Sequence, residues 1–342
     1  MWTEILEILA GFFACYCIFF LYIWIRSRIC KRMMLLDRHI VITGGSAGIG
    51  LELAKKSYSK GCSVTIIARD QGRIDKALVE IEKCKGIQAM DRISTFREPY
   101  KQTLNAYSVD LSTQLDCTEL IAKIEENGGP IDVLINNAGF AYVAPFETSD
   151  LSEFRLMMDT NYFPGVYLSQ AVVPSMKDRK SGRIVFVSSQ ASQAGIYGYT
   201  GYAATKCAIN GFAQVLQSEL KPFNIRVCIS FPPDTDTPGF AKENEIKPEL
   251  TKILSETGSV FKPQKIAEDI LKGIDFGRFY IYHGFDGFFL AMLNSGMSPV
   301  HSLLEGVRQV ALLSLFRFIS FFYLLGFDRT IARKLMEKEK ND

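Results

Sequence analysis

A tyrosine and a lysine stand four residues apart in the segment YAATK, as Tyr202 and Lys206. On a helix this spacing places the phenol and the ammonium on one face, about one turn apart. A free phenol has a pKa of about 10, so at neutral pH it can donate a proton but is a poor base. A nearby ammonium favours the phenolate, and a shift of about three pKa units corresponds to about 4 kcal/mol. The spacing therefore predicts an acid–base pair that can protonate an alkoxide developing from a carbonyl.

Two serines and an asparagine precede this pair and could complete a carbonyl-binding site. Ser188 and Ser189 close a predicted strand, 14 and 13 residues before Tyr202. Either hydroxyl could hold the carbonyl, and spacing alone does not choose between them. Asn161, on the preceding long predicted helix, could order a water behind Lys206. A lone Tyr-x-x-x-Lys pair is usually a surface helix pair, but this order of residues favours one common site.

A glycine-rich loop, TGGSAGIG, follows the predicted strand His39–Thr43 and precedes a predicted helix. Gly44 suits a tight turn, Gly48 lets the backbone approach a pyrophosphate, and Gly50 lets the helix pack against the strand. The N-terminus of the helix then faces the phosphates. This strand–turn–helix context predicts a dinucleotide site. Its predicted cofactor contacts are Gly44, Ser46, Ala47, Gly48, Ile49 and Gly50.

The residue that follows the second predicted strand indicates which dinucleotide binds. Sheets that bind NAD carry an acid there for the ribose 2′-hydroxyl, whereas this chain has Arg69, 25 residues after Gly44. A guanidinium can pair bidentately with a 2′-phosphate, and Arg73 could supply a second positive charge. Asp70 does not fit this pattern, although it can cap the next helix instead. The pattern predicts NADPH.

Two further loops complete the predicted cofactor site. Asp110 ends the third predicted strand and fits a residue that hydrogen-bonds near the adenine, with Leu111 beside it. Asn137, in the segment NNAG after the fourth predicted strand, belongs to a turn on the nicotinamide side. Ligands of parallel sheets gather at the carboxyl ends of the strands, so these positions agree with one another.

Short apolar strands alternate with amphipathic helices over residues 37–277, the predicted catalytic domain. This rhythm predicts an α/β fold of the Rossmann type, a doubly wound parallel sheet covered by helices on both faces. We expect an N-terminal transmembrane helix and an apolar C-terminal helical extension to flank it. A polar, irregular segment, residues 86–105, is predicted to be an insertion. The predicted strands are residues 39–43, 63–68, 106–110, 132–136, 183–188 and 226–231.

The predicted membrane anchor is residues 1–32. Residues 8–25 are an uncharged run of 18, about 27 Å as a helix, which is close to the thickness of the hydrocarbon core. Acidic residues precede the run and basic residues follow it, which predicts that the chain after Arg32 is cytosolic. A cleaved signal peptide would need a basic start, a shorter apolar core and a small-residue cleavage site.

Residues 278–342 are apolar but interrupted, by Gly296 and Pro299 and then by Arg317. An arginine at a helix centre costs about 2.5–3.5 kcal/mol on insertion. We therefore expect helices on the membrane surface or a shallow hairpin rather than clean spans. The tail KEKND resembles the dilysine retrieval signal of endoplasmic-reticulum proteins, through Lys338 and Lys340. Together with the anchor it predicts an endoplasmic-reticulum membrane protein whose catalytic domain faces the cytosol.

Composition excludes several other classes. The formal charge of +2, from 39 basic and 37 acidic residues, gives no support for a nucleic-acid partner. Eight scattered cysteines and three histidines make a metal site improbable and suit free thiols in a reducing compartment. The sequence has no N-x-S/T glycosylation sequon, which agrees with a cytosolic catalytic domain.

The motifs TGGSAGIG, NNAG and YAATK, with a serine 13 residues before the tyrosine, resemble those of the short-chain dehydrogenase/reductase family. The resemblance spans residues 37–277. It implies that Tyr202 is the acid/base and that Lys206 lowers its pKa and holds the nicotinamide ribose. It also implies that Ser189 orients the carbonyl and that Asn161 completes the catalytic set.

The segment PPDTDTPGF, residues 232–240, is similar within that family to the 3-ketosphinganine reductases, as are residues 182–192 and 287–306. This implies NADPH-dependent reduction of the C3 ketone of 3-ketosphinganine to sphinganine in sphingolipid synthesis. Such a lipid partitions into the bilayer, so an anchored enzyme would meet it at the membrane. Asp234 and Asp236 could face the ammonium of the substrate, or they could simply cap turns.

Two alternatives remain open at the level of sequence. Another membrane reductase of the same family would act on 3-ketoacyl thioesters, steroids or retinoids with the same chemistry. An inactive scaffold would be expected to lack the tyrosine, the lysine or the glycines, all of which are present. Members of the family often pair through long helices, so residues 150–179 and 202–222 are candidates for a homodimer contact.

Overall fold

The computed structural model describes Glu7, Gly11, Leu21 and residues 14–18, 33–86, 102–111, 117–255 and 259–339. Its strands are β1 (His39–Thr43), β2 (Ser63–Ala68), β3 (Leu104–Ser108), β4 (Val133–Asn136), β5 (Gly182–Val187), β6 (Ile225–Phe231) and β7 (Tyr280–Tyr282). They form one sheet in the order β3-β2-β1-β4-β5-β6-β7, with every pair parallel. The chain order reverses between β1 and β4, and this switch point is where parallel sheets bind ligands.

The described helices lie along the connections and at the C-terminal side. They are α1 (Gly48–Ser59), α2 (Gln71–Glu82), α3 (Cys117–Gly128), α4 (Leu151–Asn161), α5 (Phe163–Asp178), α6 (Thr200–Leu220), α7 (Pro238–Ile246), α8 (Glu249–Ser255), α9 (Pro263–Phe276), α10 (Gly284–Leu293) and α11 (Leu303–Glu339). Three short 3-10 turns separate some of these elements. The predicted α/β fold with a doubly wound parallel sheet is confirmed.

The strands of the sheet read as nearly continuous apolar runs because both faces of the sheet are covered. All five residues of β1 are buried, as parallel sheets between two helical layers require. Ile40 and Ile42 point into one core layer with α1 and α9, whereas Val41 points into the other with α3 and α5. The two layers fix the sheet rigidly beneath the loops at its carboxyl edge.

The predicted strand boundaries are confirmed for β1 and β2 and differ elsewhere. β3 begins and ends two residues earlier than predicted, so Asp110 lies beyond the strand rather than at its end. β7, of three residues, was not predicted, because a pattern that short carries little signal. Most of the predicted N-terminal anchor, most of the predicted insertion and the end of the lysine tail lie outside the described residues.

The C-terminal region forms two helices joined by residues 294–302, the stretch that contains Gly296 and Pro299. Within the described residues, one helix, Leu303–Lys334, is long and apolar enough to cross a membrane. The helix continues through Arg317, since arginine is a good helix former, and the guanidinium lies over the Phe321 ring at 4.8 Å from the centroid. The placement of this region on the membrane surface or as a shallow hairpin stays a prediction.

Candidate active site

A cavity of about 940 Å³ opens at the carboxyl edge of the sheet. The glycine-rich turn after β1 and the loop after β4 line one side. The end of β5, helix α6 and the loop after β6 line the centre, while α10 and α11 line the far side. Elements that are distant in sequence therefore meet in one continuous space.

The glycine-rich turn has the geometry that its sequence predicted. Gly44 has a φ of +64°, a conformation that residues with a Cβ rarely adopt. The Asn137 side-chain amide donates to the Thr43 carbonyl at 3.0 Å and holds this turn against β4. A Cβ added at Gly50 would lie 2.3 Å from the Gly44 carbonyl oxygen, so only glycine fits there.

Helix α1 begins at this turn and directs its N-terminus to the cavity. Within the described residues, no side chain caps the helix at Ala47, so its first amides are available to an anionic ligand. Ala47, Gly48 and Ile49 line the cavity. This open cradle fits the pyrophosphate of a dinucleotide. Ser46, the other predicted contact in the loop, is not among the residues that line the cavity.

The residues predicted to select NADPH lie at the end of the cavity next to α2. Arg73 lines the cavity, and Arg69 is exposed at the end of β2. Asp70 accepts from the Arg73 backbone amide at 3.0 Å and caps α2, which confirms the cap interpretation of that residue. Asp110 and Leu111 follow β3. Arg73 therefore lines this end of the cavity and Arg69 does not, while the Asp70 carboxylate caps α2 and lies 3.6 Å from the Arg73 Nε atom.

Tyr202 and Lys206 lie on one face of α6, as the spacing predicted. The Lys206 Nζ atom is 5.6 Å from the centre of the Tyr202 ring. It donates to the Val187 carbonyl at 2.9 Å, and the side chain is almost fully buried. Both residues line the cavity, so a phenol and an amine meet a bound ligand from the same side.

Burial dominates the electrostatics of this pair. Burial raises the pKa of Tyr202, and the carboxylates of Glu243 and Asp234 raise it further, while a hydrogen bond with Ser189 lowers it. Burial also lowers the pKa of Lys206 to about 8. Burial therefore holds the phenol pKa above its usual value, and the lowering of this pKa by the lysine stays a prediction. Tyr202 stays protonated at neutral pH, as a proton donor must.

The structure separates the two candidate serines. Ser188 is buried, and its hydroxyl hydrogen-bonds with Asn210 Oδ1 at 2.9 Å and Ser192 Oγ at 3.1 Å. Both serines line the cavity, but it is the Ser189 hydroxyl that contacts Tyr202. The geometry favours Ser189 as the residue that meets a carbonyl beside the phenol.

Asn161 supports the site rather than facing its ligand. Its Oδ1 accepts from the Phe140 amide at 2.9 Å, and its Nδ2 donates to the Phe140 carbonyl at 3.0 Å and to Thr205 Oγ1 at 3.1 Å. These bonds tie the loop after β4 to α6. The water that we expected Asn161 to order behind Lys206 stays a prediction, since its side chain is already engaged by protein atoms.

A cluster beside α7 combines Asp234, which the sequence analysis named, with Tyr199, Glu243 and Lys247, which it missed. The Tyr199 hydroxyl donates to Glu243, and the buried Lys247 ammonium lies 3.1 Å from Glu243 and 3.9 Å from Asp234. Asp234 and Glu243 line the cavity, whereas Asp236 is exposed and does not. Within this cluster the two carboxylates outnumber the single Lys247 ammonium. The i, i+4 spacing of Glu243 and Lys247 was the available signal, but it usually marks a surface ion pair.

Comparison with known proteins shows which proteins this chain resembles. A family profile described as short chain dehydrogenase matches residues 38–248. The 3-ketodihydrosphingosine reductase of Bos taurus is 43% identical over 311 residues, which cover 91% of this chain and 90% of that protein. The 3-dehydrosphinganine reductase of Danio rerio is 42% identical with the same coverage. A solved short chain dehydrogenase/reductase family protein is 25% identical with a TM-score of 0.56, covering 70% of this chain and 90% of that one.

The low pKa of Lys206 predicts a pH dependence of stability. Its pKa falls from 10.5 in the unfolded chain to about 8 in the fold, so between these values the unfolded state binds more protons and stability rises with pH. We expect the free energy of unfolding of the native protein, measured relative to Lys206→Met, to rise by on the order of 2–3 kcal/mol from pH 7 to pH 10.5. Urea titrations in detergent measure it. Lys123→Met, at an exposed lysine, should show no such rise, and a flat difference for Lys206→Met would contradict the assignment.

Proposed function

The chain belongs to the short chain dehydrogenase family, and we propose that it reduces the C3 ketone of 3-ketosphinganine to sphinganine with NADPH. Family membership confirms the resemblance of its motifs and makes the chain an oxidoreductase. Relatives that are 42% and 43% identical over most of the chain are named as reductases of this substrate. The observation that carries the proposal is the single cavity that runs from the glycine turn past Tyr202 to the apolar helices α10 and α11.

Three side chains at the centre of the cavity carry out the proposed chemistry. Tyr202 donates its phenolic proton to the carbonyl oxygen as the ketone becomes an alcohol. Ser189 holds that oxygen by a hydrogen bond, and Lys206 contacts the nicotinamide ribose. Bound NADPH supplies the hydride to the carbonyl carbon. Asn161 is a positioning residue that fixes the loop after β4.

The remaining predicted residues hold the cofactor in this proposal. The amides of the glycine turn and of the α1 N-terminus bind the pyrophosphate. Arg69 and Arg73 pair with the 2′-phosphate, since a guanidinium matches phosphate geometry. Asp110 and Leu111 border the adenine. The choice of NADPH over NADH rests on the two arginines.

The head of the substrate carries an ammonium beside the ketone, and the α7 cluster suits it. Asp234 and Glu243 line the cavity, and in the described part of the chain both lie within ion-pair distance of the Lys247 ammonium. A cationic head would restore charge balance at this position. Of the two aspartates predicted to face the ammonium, Asp234 is kept in the proposal, whereas Asp236 is dropped because it is exposed away from the cavity.

Location and assembly complete the proposal. The apolar α11 supports association with a membrane. Residence in the endoplasmic reticulum with a cytosolic catalytic domain rests on the predicted anchor and the lysine tail. A homodimer through α4 to α6 is supported by exposed apolar side chains on these helices, namely Leu151, Leu156 and Val215.

Removing the phenolic hydroxyl tests the reaction. We expect purified protein in detergent to consume NADPH with 3-ketosphinganine, and Tyr202→Phe to lower the rate by about 10²- to 10⁴-fold because the proton donor is lost. NADPH binding, followed by its fluorescence, should remain in Tyr202→Phe. An undiminished rate in this variant would rule out the mechanism, and faster turnover of a 3-ketoacyl-CoA would favour the other membrane reductases.

Removing the two arginines tests the cofactor. In the double variant Arg69→Ala, Arg73→Ala we expect the KM for NADPH to rise about 10- to 100-fold, because charge-assisted bonds to the 2′-phosphate are lost. The KM for NADH should change little. Lys76→Ala removes an exposed positive charge from the same helix and is the control. Equal losses with both cofactors would show that the arginines do not read the 2′-phosphate.

The two aspartates offer a matched pair of substitutions. Asp234→Asn should raise the KM for 3-ketosphinganine about tenfold, because a half-buried carboxylate that would pair with the ammonium is lost. Asp236→Asn makes the same change at an exposed position and should leave the KM within about twofold. With an N-acetylated, uncharged analogue of 3-ketosphinganine, the two variants should have the same KM. If both variants behave like the native enzyme towards the amine, the ammonium lies elsewhere.

A further inference from the structure

Helix α11 presents one apolar face to the cavity that contains Tyr202. The residues of this face recur every three or four positions, which keeps them on one side of the helix. From the first to the last of them the helix rises about 16 Å. They are Phe316, Ile319, Ser320, Tyr323, Leu324 and Phe327, and the charged Arg317 next to Phe316 also lines the cavity.

Helix α10 packs beside α11 and lines the same part of the cavity. Its Phe289, Leu290 and Leu293 line the same space. The centre of the Phe289 ring lies 4.9 Å from that of Phe316 and 6.0 Å from that of Tyr323. The two helices are thus packed against each other and enclose a groove, which we call the α10–α11 groove.

The groove is tied to the reacting end of the cavity. The Asn294 amide, just after α10, donates to the Gln193 carbonyl at 3.1 Å, four residues beyond Ser189. The reacting end carries Tyr202 and the carboxylate of Asp234, whereas the α10–α11 groove is lined mainly by aromatic and aliphatic side chains. The cavity as a whole is therefore amphiphilic, with its polar end at the sheet.

We propose that the α10–α11 groove binds the alkyl chain of the ketone, so that α11 sets the chain length that the enzyme accepts. This inference rests on the proposed function. We assign the groove to the alkyl chain of the substrate because the groove is continuous with the space beside Tyr202. A separate lipid or peptide in the groove would block that space. An alkyl chain is flexible and apolar, and it gains from burial along the whole strip.

The outer surface of α11 explains how such a chain arrives. Phe318 and Phe322 are each 61% exposed on the side that does not line the cavity, and the helix is apolar enough to enter a membrane. A chain that passes from a bilayer into the α10–α11 groove remains among apolar groups. Its transfer avoids exposing the chain to water.

Two matched substitutions on α11 test this assignment. Ser320→Phe adds a ring inside the groove, and Ser314→Phe adds the same ring on the exposed side of the helix. With 3-ketosphinganine we expect kcat/KM of Ser320→Phe to fall at least about tenfold, because the ring occupies the path of the chain. With a short-chain homologue it should equal that of the native enzyme. Ser314→Phe should match the native enzyme with both substrates.

A second substitution keeps the test decisive if Ser320→Phe fails to fold, which loss of activity with both substrates would reveal. Phe327→Ala shortens the apolar strip and should lower kcat/KM about fivefold for the long chain alone. Phe322→Ala, on the exposed side, is its control. If Phe327→Ala and Ser320→Phe change kcat/KM equally for the long and the short substrate, the groove does not hold the alkyl chain. The proposed reductase function would still stand. If the native enzyme reduces neither homologue, the proposed function fails and the inference with it.

Discussion

The site depends on one close approach, that of the β1 turn to the β4 loop at the switch point of the sheet. Asn137 spans the two and donates to the carbonyl of Thr43. Gly50 then packs so near Gly44 that an added Cβ would lie 2.3 Å from its oxygen and 2.7 Å from the Asn137 amide. This contact opens the α1 N-terminus towards the cavity. The lack of space therefore requires glycine at Gly50, in addition to the positive φ that favours glycine at Gly44.

Burial is the second constraint, and it governs the proton chemistry. Both Tyr202 and Lys206 are driven towards their neutral forms, the phenol by an increase and the amine by a decrease in pKa. The carboxylates of Glu243 and Asp234 reinforce the shift of the phenol. The site therefore holds a proton on Tyr202 without help from the lysine. Reduction of a ketone needs a donor in this state, whereas oxidation of an alcohol would need the phenolate.

The sequence predicted the features that depend on local chemistry. The bounds of β1 and β2, the glycine turn and the common face of Tyr202 and Lys206 follow from periodicity and spacing. What it could not predict depends on tertiary contacts. The choice of Ser189 over Ser188 follows from which hydroxyl Asn210 captures, and Glu243 gains its position because the loop after β6 folds α7 over the cavity. β3 was misplaced because it is only half-buried and mixes apolar with polar residues, which weakens the pattern.

The C-terminal helices give the two halves of the cavity different chemistry. A parallel sheet supplies polar loop residues at its carboxyl edge, but it offers little apolar surface there, because its own apolar side chains are used in the two core layers. An apolar ligand therefore needs walls from elsewhere. α10 and α11 provide these walls, and their outer surface suits the same hydrocarbon environment. The helix that is apolar enough to cross a membrane thus also lines the cavity that contains Tyr202, so the proposed membrane association and the proposed substrate recognition involve the same helix.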